Sequence, residues 1–106
     1  MASMAFVNDQ VKSSKVVVFS KTHCPYCTMA KSALKDAGLK QSDYLLIELD
    51  ERDDGSAIQD ALVKITGART VPRVFINGKF VGGGSEVKAL QSSGKLKPML
   101  QEVGAL

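Results

Sequence analysis

The apolar positions of the chain fall into two patterns: continuous runs, which predict buried strands, and residues three or four apart, which predict amphipathic helices. Val16-Val17-Val18-Phe19 is a β-branched and aromatic run and predicts a central parallel strand buried on both faces. Residues Asp43 to Leu49 predict a second strand. Arg73–Ile76 and Lys79–Val81 predict two more, paired as a hairpin because Asn77-Gly78 separates them.

Five helices are predicted around these strands. Their apolar faces are Met4, Val7 and Val11; Cys27, Ala30, Ala33, Leu34 and Ala37; Ile58, Ala61, Leu62 and Ile65; Val87 and Leu90; and Leu96, Met99, Leu100 and Val103. Pro25 fits the first turn of the second helix, where its missing N–H needs no partner. Asp53 or Asp54 is placed to cap the third, and Gly67 to end it. The order predicts an α/β, thioredoxin-like fold: a four-stranded mixed sheet flanked by about five helices.

Length and composition restrict the class of protein. The 106 residues, 44% hydrophobic and 24% charged, predict a single domain over residues 1–106. A net charge of +3 is too small to indicate nucleic acid as a partner. No apolar run reaches the ~18 residues of a membrane span. The first ten residues lack the features of a signal or transit peptide, so we expect a cytoplasmic location.

Both cysteines of the chain lie in Thr22-His23-Cys24-Pro25-Tyr26-Cys27, at a predicted strand-to-helix junction. In a reducing compartment such a pair is seldom a structural disulfide. The helix N-terminus favours the thiolate of Cys24, and Lys21 adds a positive charge nearby. Cys27 lies one turn inside the helix and is expected to be more buried and neutral. The asymmetry predicts that Cys24 attacks a disulfide and that Cys27 resolves the mixed disulfide.

A metal site is the main alternative for the cysteine pair. Zinc takes four ligands, and the remaining strong ligand nearby, His23, is badly placed beside Cys24. The acidic run from Asp50 is more typical of a solvated loop with a helix cap. We therefore predict no metal, and we expect His23 to be a surface residue of the loop.

Three segments taken together resemble the signature segments of a dithiol glutaredoxin. They are Lys21 to Cys27, Thr70-Val71-Pro72 and Gly82-Gly83, and the resemblance extends from about Lys12 to Leu100. Thioredoxin differs, because it has a tryptophan before the cysteine pair and Gly-Pro within it. This chain has no tryptophan and carries Pro-Tyr.

The resemblance implies a glutathione-dependent thiol–disulfide oxidoreductase. Such an enzyme reduces protein–glutathione mixed disulfides and protein disulfides, with Cys24 as nucleophile, Cys27 as resolving thiol and a redox disulfide between them. Glutathione is then the co-substrate. The implied partners are glutathione and glutathionylated or disulfide-containing proteins, and a monomer is expected.

The resemblance also implies a glutathione site. Pro72 is expected after a cis bond facing Cys24, with the Val71 backbone pairing with the cysteine of glutathione. The implied binding residues are Lys21, Tyr26, Gln59, Thr70, Val71, Pro72, Gly83, Gly84, Ser85 and Glu86, with Arg69 and Arg73 adding positive potential. Simpler interpretations exist for three of them: Lys21 and Gln59 as surface residues, and Thr70 as the start of a strand. Many relatives have cysteine at Gly84 and aspartate at Glu86, so this chain departs from the family pattern at both positions, and Glu86 would meet the glutathione ammonium with one more methylene.

Two other functions stay open from the sequence. Some relatives bridge an iron–sulfur cluster between two subunits, although those generally lack a proline at the position of Pro25. A thioredoxin-type reductase, fed by a flavoprotein, is the second alternative.

Overall fold

In the computed structural model, which describes residues 2–106, four strands form one mixed sheet in the order β2-β1-β3-β4. The strands are β1 (Val16–Ser20), β2 (Tyr44–Glu48), β3 (Arg73–Ile76) and β4 (Lys79–Gly82). The helices are α1 (Ala2–Ser13), α2 (Pro25–Asp36), α3 (Gly55–Thr66), α4 (Gly84–Ser92) and α5 (Leu96–Glu102). This is the predicted thioredoxin-like architecture.

Strand β1 is central, as its apolar run predicted, and all five of its residues are buried. It pairs in parallel with β2 and antiparallel with β3. Successive side chains of a strand point to opposite faces. Val16 and Val18 therefore pack in one core with α2, α4 and α5, while Val17 and Phe19 pack in a second core with α1 and α3.

The hairpin between β3 and β4 has the predicted two-residue turn. Asn77 and Gly78 both take left-handed conformations, with φ of 56° and 77°. Two positive φ values in succession are the requirement of the tight turn whose twist matches that of the strands. The Asn-Gly pair thus fixes the register of the last two strands.

Some boundaries differ from the prediction. Asp43 and Leu49 lie in short 3₁₀ turns that flank β2, and α4 begins one residue before Ser85. Asp54 occupies the N-cap position of α3, but its side chain makes no capping hydrogen bond. Its carboxylate instead accepts two hydrogen bonds from Arg52, at 2.8 and 3.1 Å. The Asp54 carboxylate therefore pairs with the Arg52 guanidinium and does not cap α3.

The sheet topology gathers the predicted site at one edge. Parallel strands β1 and β2 end at the same edge, where the loop before α2 begins. The segment before β3 reaches this edge too, because β3 is antiparallel to β1. Its Val71–Pro72 peptide bond is cis, as expected. Within residues 2–106, no helix combines the length and the apolar character needed to cross a bilayer.

Candidate active site

Cys24 is the N-cap residue of α2, with an extended backbone (φ −127°, ψ 113°). Its Sγ accepts a hydrogen bond from the backbone N–H of Cys27 at 3.2 Å. The same sulfur lies 3.7 Å from the carbonyl oxygen of Val71, where the thiol can donate. Pro25 follows as the first helical residue. The nucleophile predicted from the sequence therefore faces both the helix N-terminus and the segment that precedes β3.

Cys27 is fully buried on the inner side of α2, and both cysteines are free thiols. Its Sγ accepts a hydrogen bond from the backbone N–H of Lys21 at 3.4 Å. Burial raises the pKa of the Cys27 thiol, and the hydrogen bond with Cys24 acts in the same direction. The prediction that Cys27 is the more buried thiol is confirmed, and its raised pKa agrees with the expected neutral state.

A carboxylate fixes the loop before Cys24. Asp50, just after β2, accepts a hydrogen bond from the backbone N–H of Thr22 at 3.0 Å and a second from the Thr22 hydroxyl. The hydroxyl is the main cause that lowers the pKa of Asp50, and the charge of neighbouring His23 contributes weakly. The acidic run from Asp50 predicts a solvated loop, which does not include this contact with Thr22. The available signal was that the two strands before Thr22 and Asp50 are parallel, so both residues leave the same edge.

A cleft of about 280 Å³ opens beside Cys24, between the first turn of α2, the segment before β3 and the N-terminus of α4. It is lined by Tyr26, Thr70, Val71, Pro72, Arg73, Gly83, Gly84, Ser85 and Glu86. Eight of the ten predicted glutathione-binding residues thus share one cleft. A larger cleft of about 360 Å³ lies at the other end of β1, near Lys12, Lys15 and Asn77, and contains none of them.

Glu86 and Gly84 shape the α4 side of this cleft. The Glu86 carboxylate accepts a hydrogen bond from the backbone N–H of Gly83 at 2.8 Å. Gly83 has no side chain that could accept from the helix in return, so only half of a capping box forms. The N–H groups in the first turn of α4 therefore remain available to other acceptors. A Cβ on Gly84 would lie 2.5 Å from the carbonyl oxygen of Tyr26. Glycine there lets the first turns of α4 and α2 approach closely.

Arg73 forms the charged wall of the cleft. Its guanidinium donates to the carbonyl oxygen of Pro72 and to the hydroxyl of Thr70, both at 3.1 Å. Its Cζ lies 4.9 Å from the centre of the Phe80 ring. Thr70 is therefore part of the cleft, rather than simply the start of a strand. Burial lowers the pKa of Arg73, but an arginine stays charged at neutral pH.

Lys21 and Gln59 do not line the cleft. Gln59 is 8% exposed, so its interpretation as a surface residue is wrong. Its Nε2 donates to the backbone carbonyl of Arg69 at 2.9 Å and fixes the chain just before Thr70. Lys21 is half-buried, and its backbone N–H contacts Cys27. The sequence suggested a different role, a lysine charge acting on Cys24.

Among the described residues, no three His, Cys, Asp or Glu side chains are grouped so that they could hold a metal ion. His23 is exposed in the loop, as expected. Ser20, the last residue of β1, is fully buried, and its hydroxyl donates to the carbonyl oxygen of Lys21 at 3.3 Å.

Comparison with known proteins gives a consistent result. The family model described as Glutaredoxin matches residues 16–81. The chain is similar to a glutaredoxin of Ricinus communis, with 50% identity over 104 residues that cover 98% of this chain and 99% of the relative. It superposes on oxidized glutaredoxin 2 of Chlamydomonas reinhardtii (TM-score 0.93, 50% identity, 99% and 96% of the two chains). It also superposes on a buckwheat glutaredoxin–glutathione complex (TM-score 0.90, 46% identity, 99% and 93% of the two chains).

Proposed function

This chain belongs to the glutaredoxin family, and we propose that the cleft beside Cys24 holds the glutathione used by its two thiols. The protein is a glutathione-dependent thiol–disulfide oxidoreductase, with glutathione as co-substrate. The iron–sulfur and thioredoxin-type alternatives are not favoured by these relatives. The observation that carries the proposal is the cleft itself, because its lining includes Val71, whose carbonyl oxygen lies 3.7 Å from the Sγ of Cys24.

The chemistry starts at Cys24. Its thiolate attacks the glutathione sulfur of a protein–glutathione mixed disulfide, and the protein thiolate leaves and takes up a proton. A second glutathione then attacks the glutathione sulfur bound to Cys24. This step releases glutathione disulfide and regenerates the Cys24 thiolate, which the N–H of Cys27 stabilises at 3.2 Å.

A protein disulfide needs the second thiol. Cys24 attacks one sulfur of the substrate and forms a mixed disulfide with it. Cys27 then attacks Cys24, the substrate thiol departs with the proton of Cys27, and a Cys24–Cys27 disulfide remains. Two glutathione molecules reduce this disulfide. Cys27 suits this second role because it is buried and lies one helical turn from Cys24.

The proposed glutathione contacts follow the walls of the cleft. The backbone of Val71 pairs with the cysteine of glutathione as an added strand would, which places its sulfur at Cys24. The unpaired N–H groups at the start of α4, at Gly84 and Ser85, receive the α-carboxylate of the γ-glutamyl residue. The carboxylate of Glu86, which already accepts from Gly83, faces the ammonium group. Tyr26, Thr70 and Pro72 enclose the sulfur between these two ends.

The glycine carboxylate is assigned to Lys21 and Gln59, which lie outside the cleft proper. The amide nitrogen of Gln59 carries two N–H bonds, of which one is used by the carbonyl of Arg69. The other is available to a carboxylate. Gln59 thus both fixes the segment before Thr70 and offers a donor beside it.

Further parts of the assignment extend beyond glutathione. Glutathionylated and disulfide-containing proteins are the proposed substrates, and a monomer is the proposed active form. The cytoplasmic location stays a prediction from the sequence.

An electron-donor assay tests the proposal. The substrate is a glutathionylated peptide, and turnover is followed as NADPH consumption with either glutathione plus glutathione reductase or a thioredoxin reductase alone. We expect turnover with the first donor system and none with the second. Cys24→Ser is the matched control and should be inactive with both. Turnover with thioredoxin reductase in the absence of glutathione, or activity of Cys24→Ser, would overturn the assignment.

A further inference from the structure

The three arginines of the chain differ in what neutralises their charge. The guanidinium of Arg52 pairs with the carboxylate of Asp54 at 2.8 Å, and that of Arg69 pairs with Asp60 at 2.9 Å. Arg73, in the wall of the cleft, forms no ion pair with any residue in the range 2–106. The arginine that lines the cleft is therefore the one whose charge has no carboxylate partner in the described part of the chain.

The Arg73 guanidinium is nevertheless held in place by three contacts. It donates to the carbonyl oxygen of Pro72 and to the hydroxyl of Thr70, both at 3.1 Å. Its Cζ lies 4.9 Å from the centre of the Phe80 ring. The two hydrogen bonds use two of the five guanidinium N–H bonds, and the others have no acceptor among residues 2–106. The guanidinium is thus fixed in position and still has donors for a ligand.

A partly buried charge without a partner is unfavourable, because it has lost part of its water and gained no opposite charge. Arg73 is half-buried, and burial lowers its pKa. The charge of Glu86 acts in the opposite direction. The Glu86 carboxylate, however, accepts from the backbone N–H of Gly83 at 2.8 Å and forms no ion pair with Arg73. A carboxylate brought by the ligand would complete this site.

Gly83 marks the place in the cleft where that carboxylate would bind. The Nη2 of Arg73 lies 3.1 Å from the point where a Cβ of Gly83 would stand, and the Oε1 of Glu86 lies 3.4 Å from the same point. Gly83 is the N-cap of α4, so the free N–H groups of the first turn begin at the next residue. A cation, a carboxylate and backbone donors therefore surround one small region at the start of α4.

Glutathione has two carboxylates, at opposite ends of the molecule. Its γ-glutamyl end carries an α-carboxylate and an ammonium group on one carbon, whereas its glycine end carries a carboxylate alone. The region at Gly83 has both a cation and an anion, so it matches the γ-glutamyl end. Lys21 and Gln59, which are assigned to the glycine carboxylate, do not line this cleft.

We propose that Arg73 is a specificity-determining residue for glutathione, because its guanidinium binds the α-carboxylate of the γ-glutamyl residue together with the N–H groups of α4. The Glu86 carboxylate binds the ammonium group on the same carbon. The two side chains then distinguish a glutathionyl group from a cysteinyl-glycine group, which lacks the γ-glutamyl residue. This inference rests on the proposed binding of glutathione in the cleft.

The test follows a single turnover of Cys27→Ser protein with peptides of one sequence, each carrying a different group on its cysteine. One group is glutathione. The second is glutathione with hydrogen in place of the α-carboxylate, and the third is glutathione with ethylamine in place of glycine. Attack by Cys24 releases the peptide thiol, and rapid quench followed by chromatography gives the second-order rate constant. No free glutathione is present, so the transferred group alone occupies the cleft.

Arg73→Gln has a specific expected signature in the Cys27→Ser background. Transfer of glutathione should slow roughly tenfold or more, because a hydrogen bond to a charged group is lost. A similar loss is expected for the ethylamide, which keeps the α-carboxylate. Transfer of the group without the α-carboxylate should have the same rate with and without the Arg73 side chain. Arg73→Lys keeps the charge but not the planar fork of donors, so its loss should be smaller.

Two controls separate ligand binding from a structural role. Alkylation of Cys24 by iodoacetamide, which has no carboxylate, should be unchanged in Arg73→Gln. Lys64→Gln removes an exposed positive charge from α3 and should leave every rate unchanged.

Four results would overturn the proposal: Arg73→Gln has no effect on glutathione transfer, slows all three groups equally, slows alkylation as well, or spares the ethylamide. The last of these would place Arg73 at the glycine carboxylate. If Cys24 of the Cys27→Ser protein took up no glutathione at all, the proposed function would be refuted, and the assignment of Arg73 with it.

Discussion

The backbone N–H of Cys27 donates a hydrogen bond to the Sγ of Cys24 at 3.2 Å, so the nucleophile is also the N-cap of the helix that carries the resolving thiol. The cap places an N–H and the positive end of the helix dipole at the sulfur that attacks the substrate. It also links the position of the reactive sulfur to the stability of α2.

Substitution of the cap separates activity from stability. Serine is a preferred N-cap residue, and alanine is a poor one. Cys24→Ser should unfold at a denaturant concentration no lower than that of the unsubstituted protein, whereas Cys24→Ala should lose about 1 kcal/mol. Both should be inactive. Urea unfolding followed by circular dichroism measures the difference, and equal destabilisation of the two variants would argue against the capping role.

Removal of the resolving thiol should split the two activities. Cys27→Ser keeps Cys24 and the cleft, so reduction of a glutathionylated peptide should continue. Reduction of a protein disulfide should fall by roughly 100-fold or more, because a neighbouring thiol has an effective concentration far above that of millimolar glutathione. Parallel steady-state assays with the two substrates give the ratio. A similar loss on both substrates would contradict the assignment.

The contact between Asp50 and Thr22 should give a pH-dependent contribution to stability. The hydrogen bonds lower the pKa of Asp50 in the folded state. Their contribution is therefore complete above the unfolded value of about 3.9 and is lost as the pH falls through the lower folded value. Asp50→Asn should be less stable than the unsubstituted protein above pH ~4, and the gap should shrink on acidification.

Thr22→Val provides the matched background for this measurement, because it removes the hydroxyl that is the main cause of the low pKa. In that background the gap caused by Asp50→Asn should be smaller at every pH. Urea unfolding at a series of pH values provides the curves. If the difference in stability between Asp50→Asn and its parent did not vary with pH, the charge of the Asp50 carboxylate would not be what stabilises the loop.

Gly84 should resist any added side chain. A Cβ at this position would lie 2.5 Å from the oxygen and 2.9 Å from the Cβ of Tyr26, so α2 and α4 must separate. Gly84→Ala should cost about 1–3 kcal/mol, as overpacking typically does, and should raise the KM for a glutathionylated peptide. Gly83→Ala is the comparator, because its closest contacts are longer: the Arg73 guanidinium at 3.1 Å and the carbonyl oxygen of Pro72 at 3.3 Å. Equal costs for the two variants would contradict this packing argument.

Local patterns in the sequence were sufficient to predict the fold and the position of the two cysteines. The run from Val16 predicted the central strand, and Asn77-Gly78 predicted the hairpin turn, because each depends on few neighbours. The carboxylates were harder to place. The position of Asp54 before α3 predicts a cap, but its carboxylate pairs with Arg52 instead. Asp50 accepts a hydrogen bond from Thr22, which lies 28 residues away in the chain. For Gln59 the sequence allowed a surface residue beside the glutathione contact, because its hydrogen bond to the carbonyl of Arg69 forms only through tertiary folding.

We propose that Cys24 itself carries glutathione between substrate and product, and trapping of that adduct tests this role directly. Cys27→Ser protein is mixed with a glutathionylated peptide in the absence of free glutathione, and intact-mass and peptide-mapping mass spectrometry follow the protein. We predict one glutathione adduct, on Cys24, that forms as the peptide is reduced and disappears when glutathione is added. Reduction of the peptide without an adduct on Cys24, or an adduct that glutathione does not remove, would contradict this role of Cys24.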